Sequence, residues 1–153
     1  MLPFNRDFKD LLSSFIGADV RFMVVGAYAL AYHGHVRATK ALDVWVECSP
    51  ANATRVYAAL ADFGAALGAV TPQDFEDPHT VLQIGVTARR IDVVCSVTGV
   101  EFGPAWERRE TLQLDELLVP VIGLADIIWN KRSTGRLQDA ADVEALERLR
   151  QNP

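Results

Sequence analysis

The stretch Val25-Gly26-Ala27-Tyr28-Ala29-Leu30-Ala31-Tyr32-His33-Gly34-His35-Val36-Arg37-Ala38-Thr39-Lys40-Ala41-Leu42-Asp43-Val44-Trp45-Val46 decides the fold of this 153-residue chain. The residues leading into it, Val20 to Val25, are apolar and rich in β-branched side chains, which predicts a short strand. Gly26 ends that strand. Ala27 to His33 is dominated by alanine and leucine and holds no β-branched residue, so a helix opens directly from the strand. Gly34 closes the helix. From Leu42 to Glu47 the pattern alternates. Leu42, Val44 and Val46 take one side of a second strand, while Ala41, Asp43, Trp45 and Glu47 take the other.

Working outward, Asn5 caps a first helix whose Phe8, Leu11, Leu12 and Phe15 share one face, with Gly17 as its stop. Ser49-Pro50 supplies an N-cap hydroxyl and a proline at the first helical position, starting a helix that runs to about Phe63. Thr71-Pro72-Gln73-Asp74 repeats that signal for a short helical turn. Thr80 to Gly85 and Arg89 to Ser96 read as a hairpin across Val86-Thr87-Ala88. Phe102 to Arg109 reads as a short helix, and Glu110 to Leu114 with Leu117 to Ile122 as a second hairpin. Two helices finish the chain, Leu124 to about Ser133 and Leu137 to about Arg150, separated by Gly135. This order of elements predicts one α/β domain over 1–153, a mixed β-sheet flanked by helices with a helical C-terminal tail.

Three features carry chemistry. A strand ends in Gly26 and opens into a helix, whose first main-chain N–H groups can hold a phosphate. Asp43 lies on the next strand. Asp92 sits inside Arg90-Ile91-Asp92-Val93-Val94, where a charge is costly to bury without a partner. Two acids on neighbouring strands near a helix start suit a divalent ion and a triphosphate, because magnesium takes hard oxygen ligands from one or two carboxylates plus phosphates.

Composition narrows the remaining classes. The chain is 50% hydrophobic and 23% charged, with a formal charge of −5, which argues against nucleic-acid binding through bulk positive charge. Apart from Lys9, Lys40 and Lys131 the basic residues are arginines, and Arg37, Arg89, Arg90, Arg132 and Arg136 could form a local basic rim. No apolar run reaches the roughly 20 residues of a membrane span, and the N-terminus has no signal-peptide core. Cys48 and Cys95 belong to no CxxC pair, so zinc is not indicated, and both read as buried free thiols in a reducing cytoplasm.

The quoted stretch resembles the minimal nucleotidyltransferases of the polymerase-beta superfamily, in particular the small bacterial group related to abortive-infection and toxin–antitoxin nucleotidyltransferases. That group shows a hydrophobic strand, Gly-Gly or Gly-Ser, an Ala/Leu-rich helix ending in His-Gly, and Arg-x-Thr-x-Asp-hydrophobic-Asp. Arg90-Ile91-Asp92-Val93 looks like its third-aspartate strand, and Lys131-Arg132-Ser133-Thr134-Gly135-Arg136-Leu137-Gln138-Asp139-Ala140-Ala141-Asp142 like its helical tail. The resemblance implies transfer of a nucleoside monophosphate from a nucleoside triphosphate to an acceptor hydroxyl, with Mg2+ (or Mn2+) as cofactor. Asp43 and Asp92 would be metal ligands, with Asp92 also taking the acceptor's proton. Gly26, Ala27, Arg37 and Thr39 would line the nucleotide, and Lys131 would neutralise departing pyrophosphate. RNA, transfer RNA among it, is the acceptor implied by the toxin relatives, and a cognate antitoxin the partner.

Two positions depart from that pattern. Ala27 replaces the second glycine or serine, which keeps the main-chain N–H. Ala41 stands where the first metal-binding aspartate belongs, and its loss predicts an impaired or inactive chain. The surrounding residues match, whereas natural decay into a pseudoenzyme would erode several of them, so a single introduced change is the favoured explanation of Ala41. A non-catalytic module of the same fold, which keeps nucleotide affinity or engages a protein partner, is the rival reading. A third is a nucleotidyltransferase for a cationic antibiotic, with Glu47, Glu101 and Glu110 as candidate acceptor groups.

Plainer roles stand beside these. Asp43 could pair with Lys40 or Arg37, and Asp92 with Arg89 or Arg90. His33 and His35 read as helix-end residues facing the C-terminal dipole. Tyr28, Tyr32 and Trp45 could stack on a base but more commonly pack in a core. Lys131 by default faces solvent, and Asp139 and Asp142 complement the dipole of the last helix.

Overall fold

The computed structural model describes residues 4–39, 41–85 and 89–151. A helix α1 (Arg6–Gly17) is followed by strand β1 (Phe22–Val25), helix α2 (Gly26–Tyr32), strand β2 (Ala41–Val46) and helix α3 (Pro50–Phe63). A 3-10 turn (Pro72–Glu76) leads to strands β3 (Val81–Ile84) and β4 (Arg90–Val94) and helix α4 (Phe102–Glu107). Strands β5 (Glu110–Leu114) and β6 (Leu117–Val121) precede helices α5 (Leu124–Thr134) and α6 (Leu137–Gln151). The six strands form one mixed sheet in the order β3-β4-β2-β1-β6-β5. β1 runs antiparallel to β2, β2 parallel to β4 and β1 parallel to β6, with β3 and β5 antiparallel at the edges. This is the α/β mixed sheet with a helical tail that the sequence predicts. The predicted turn at 86–88 lies outside the described residues, although the β3–β4 pair it joins is antiparallel as expected.

Local signals account for most element ends. Asn5 Oδ1 accepts from the Phe8 amide at 2.9 Å, and Ser49 Oγ accepts from the Asn52 amide at 3.3 Å. Phe8, Leu11, Leu12 and Phe15 are all buried, so the apolar stripe of α1 seats on the core. α1 ends at Gly17, as the sequence predicts, although Gly17 itself is not the left-handed residue. The left-handed residue is Asp19, at φ 58°, and the Val20 amide bonds back to the Phe15 carbonyl. With that amide committed to closing α1, β1 starts at Phe22 rather than Val20.

β1 and β2 are buried along nearly their whole length, with Asp43 the half-buried exception. Each Val, Leu or Phe fully withdrawn from water there contributes about 1.5–3 kcal/mol. Asn52, 1% exposed, fixes the far end of the pair. Its Nδ2 donates to the carbonyls of Arg21 (3.0 Å) and Glu47 (2.9 Å), and its Oδ1 accepts from the Arg21 amide at 2.8 Å. The start of β1, the end of β2 and the first turn of α3 are thereby joined through one side chain.

Candidate active site

Sheet register builds the site. Val25, the last residue of β1, pairs with Asp43, so Gly26 comes next to the Asp43 side chain. The parallel pairing of β2 with β4 sets Asp43 directly beside Asp92 and Ala41 beside Arg90. In a strand pair, directly opposed residues share a face, so both carboxylates project from the same side of the sheet. Each carboxylate feels the other directly, and Asp92 raises the pKa of Asp43. Gly26 is indispensable to this contact. It has φ +67°, and a Cβ there would run into Asp43 Oδ2 and stand 3.0 Å from Cγ.

A cavity of about 440 Å³ opens over this corner. Gly26, Ala27, Arg37, Thr39, Ala41, Asp43 and Lys131 all line it, joined by Arg90, Arg136 and Asp139. Asp92 stands behind, 8% exposed, reached through Asp43 and Arg90. Arg90 Nε donates to Asp92 Oδ1 at 2.9 Å and its NH2 group to Oδ2 at 3.1 Å. Asp92 therefore has the arginine partner that its burial demands.

Asp43 is in a different position. Burial, then the neighbouring Asp92 charge and a hydrogen bond with it, push its pKa from the ordinary 3.8 up to about 7, against the pull of Arg90 and Lys131. Arg37, one of its candidate partners, instead reaches Asp142 at 3.3 Å, while Lys40 lies outside the described residues. Thr39 braces the entry to β2, its hydroxyl donating to the Ala41 carbonyl at 3.0 Å and lying 3.3 Å from the Ala41 amide.

Several plain readings fail here. Lys131 does not face solvent: it is 7% exposed, with Nζ 2.9 Å from Asp139 Oδ1 and 3.6 Å from Asp142 Oδ2. Asp139 and Asp142 do more than complement a helix dipole. Asp139 also accepts from Thr134 Oγ1 at 2.6 Å and Arg136 Nε at 2.8 Å, and Asp142 meets His35 Nε2 at 3.1 Å. Burial alone would raise Asp139, but the hydrogen bonds of Thr134 and Lys131 and the charges of Lys131 and Arg136 hold it below the usual range. This buried ionic cluster ties α5 and α6 to the loop entering β2. A lysine with acids eight and eleven residues ahead is its only trace in sequence, and a helical reading with Gly135 between them hides it.

His33 is a helix-end residue as expected, the C-cap of α2, and its Nε2 donates to the Ile122 carbonyl at 2.8 Å, joining that end to the segment after β6. Tyr28 packs against Phe4 and Phe8, Trp45 against Phe102, and the Tyr32 hydroxyl reaches Glu110 and Thr111, so none of the three lines the cavity. The basic rim is smaller than expected, with Arg37, Arg90 and Arg136 on the cavity wall and Arg132 paired away with Glu147. Cys95 is buried, and Cys48 only half so. Burial raises both thiols, Cys95 to about 12, as expected of unreactive ones.

The donor set fits a hard divalent ion. Asp43 and Asp92 provide adjacent carboxylate oxygens, and phosphate oxygens could complete the shell. Ala41 provides none. Among the described residues no third His, Cys, Asp or Glu joins them in a metal-holding group, so the protein alone supplies two carboxylates.

No family model and no curated protein matches this chain. Solved structures do. A candidate nucleotidyltransferase from Thermotoga maritima superposes with a TM-score of 0.62 at 12% identity, covering 97% of this chain and 92% of that one. The lincosamide antibiotic adenylyltransferase LnuA, with lincomycin bound, gives a TM-score of 0.59 at 10% identity, covering 95% and 98%. The chain has a nucleotidyltransferase-like fold.

Proposed function

We propose that this cavity binds a nucleoside triphosphate with Mg2+ (or Mn2+) and that its chemistry is nucleotidyl transfer, impaired in this chain by Ala41. The observation behind this reading is the register that places Asp43 beside Asp92 and against Gly26, in a cavity walled by Arg37, Arg90, Lys131 and Arg136. Asp43 and Asp92 would hold the metal, which when bound neutralises phosphate oxygens. Gly26 and Ala27 let the phosphates approach the backbone closely. Arg37, Lys131 and Arg136 offer charge to the triphosphate and to departing pyrophosphate. Asp92 would take the proton of an acceptor hydroxyl whose oxygen bonds to the α-phosphorus as the bond to the β-phosphate oxygen breaks. For that step one Asp92 oxygen must be released from Arg90.

Ala41 also favours the second reading, a nucleotide-binding module without transferase activity. Its methyl group stands beside Arg90 in the register position one face-step from Asp43. Ala41→Asp discriminates between the two. The new carboxylate would leave the same strand face as Asp43. Restored transfer of labelled nucleotide to total RNA, transfer RNA or the protein itself, with pyrophosphate as co-product, supports the enzyme. A single electrostatic stabiliser is typically worth about a hundredfold to a thousandfold in rate. Tight nucleotide binding with no transfer to any acceptor supports the module.

An RNA acceptor, a cognate antitoxin and a cytoplasmic location rest on the resemblance. No helix among the described residues is long and apolar enough to cross a membrane. The antibiotic reading has a structural neighbour in its favour but lacks its acidic pocket. Glu47 pairs with Arg21, Glu110 meets His33 and Tyr32, and neither they nor Glu101 line the cavity.

A further inference from the structure

Arg90 and Asp92 are two residues apart on β4, so their side chains leave the same face. The guanidinium meets the carboxylate fork to fork, and both oxygens of Asp92 are engaged by this one cation. On β2 the register partner of Arg90 is Ala41, which offers it only a methyl group. The Arg90 side chain is 36% exposed and lines the cavity, so it can swing off Asp92 without disturbing the core. A divalent ion shared by Asp43 and Asp92 would need the oxygens that Arg90 now occupies, and two cations at contact distance repel. A triphosphate in the cavity presents oxygens that a guanidinium can grip in the same bidentate manner.

We propose that Arg90 is an exchangeable counter-ion: it holds Asp92 until a divalent ion takes those oxygens, and then moves to the phosphates of the bound nucleotide. This rests on the nucleotide-binding reading given above. Arg90 thus opposes binding of metal alone and favours binding of nucleotide, and its removal shifts the two affinities in opposite directions.

The test is Arg90→Gln, which keeps a polar side chain and removes the charge. Mn2+ affinity without nucleotide, followed by electron paramagnetic resonance of the free ion, is expected to rise by roughly tenfold or more, since two charge-assisted hydrogen bonds no longer compete. Affinity for ATP at saturating Mg2+, from calorimetry, is expected to fall by roughly tenfold. A variant that merely folds poorly loses both. Arg90→Lys guards against that outcome: its ammonium engages one oxygen instead of two, and Mn2+ affinity should lie between parent and Arg90→Gln. Adding Asp92→Asn to Arg90→Gln should erase the gain. Mn2+ affinity unchanged or lowered in both Arg90 variants overturns the exchange. ATP binding in the parent with no Mn2+ binding in any variant also overturns it, while leaving the nucleotide site standing. Absence of ATP binding in the parent overturns both.

Discussion

Replacing Asp43 by asparagine should make the protein more stable while removing its ligand binding. The Asp43 carboxyl is raised from 3.8 to about 7 by burial and by Asp92. Below pH 3.8 the group is protonated in both folded and unfolded chains and costs nothing. Between 3.8 and about 7 the unfolded chain releases its proton while the folded one keeps it, so stability falls as pH rises. Above about 7 the folded protein carries the full penalty, of order 4 kcal/mol. Asparagine has the same shape, never ionises, and can donate an N–H to Asp92. Urea denaturation followed by tryptophan fluorescence should find Asp43→Asn more stable than the parent by about 2–4 kcal/mol at pH 8.5. The gap should close towards pH 4. In thermal scans each kcal/mol is worth about 2–4 °C in a chain of this size. An Asp43→Asn protein less stable than the parent at pH 8.5, or an offset that does not change with pH, would refute the reasoning. Calorimetry on the same variant should show magnesium-nucleotide binding lost, so stability and function move oppositely at one residue.

Gly26→Ala should be destabilised by about 2–4 kcal/mol, combining a left-handed backbone cost of about 1–2 kcal/mol with the collision against Asp43. Urea midpoints measure this destabilisation, and ATP binding under conditions where the variant is folded is expected to be lost as well, because the collision displaces Asp43. Lys131→Met leaves Asp139 and Asp142, 2% and 0% exposed, without their ammonium. The expected loss is about 3–5 kcal/mol in unfolding free energy, partly recovered by adding Asp139→Asn. A cost near zero would show that Arg136, Arg37 and His35 alone satisfy those acids.

Element order and most boundaries were legible because their causes are local. Asn5 and Ser49-Pro50 cap their helices by bonding amides within three residues, and Gly34 closes α2 with its φ of +106°. The alternation from Ala41 to Val46 likewise fixed which β2 residues share a face with Asp43 before any partner strand was known. Gly17 marked the end of α1 correctly, but the left-handed turn that follows falls on Asp19, which no residue preference singled out.

Hydrophobic periodicity, capping and turn chemistry act over a few residues, so the α/β architecture, the strand–glycine–helix corner and the two acids can be read from the chain alone. That Asp43 and Asp92 are register partners, that Arg90 rather than Arg89 answers Asp92, and that Lys131 is buried between Asp139 and Asp142 emerges only once the chain is folded. Residues 43 and 92 meet through a parallel pairing of strands 49 positions apart, and Lys131 through the folding back of α6 on α5. No local preference encodes those meetings. They follow from burying the apolar faces of the sheet and helices together, and the charges brought inside must then find one another because leaving any of them unpaired costs more than the pairing does.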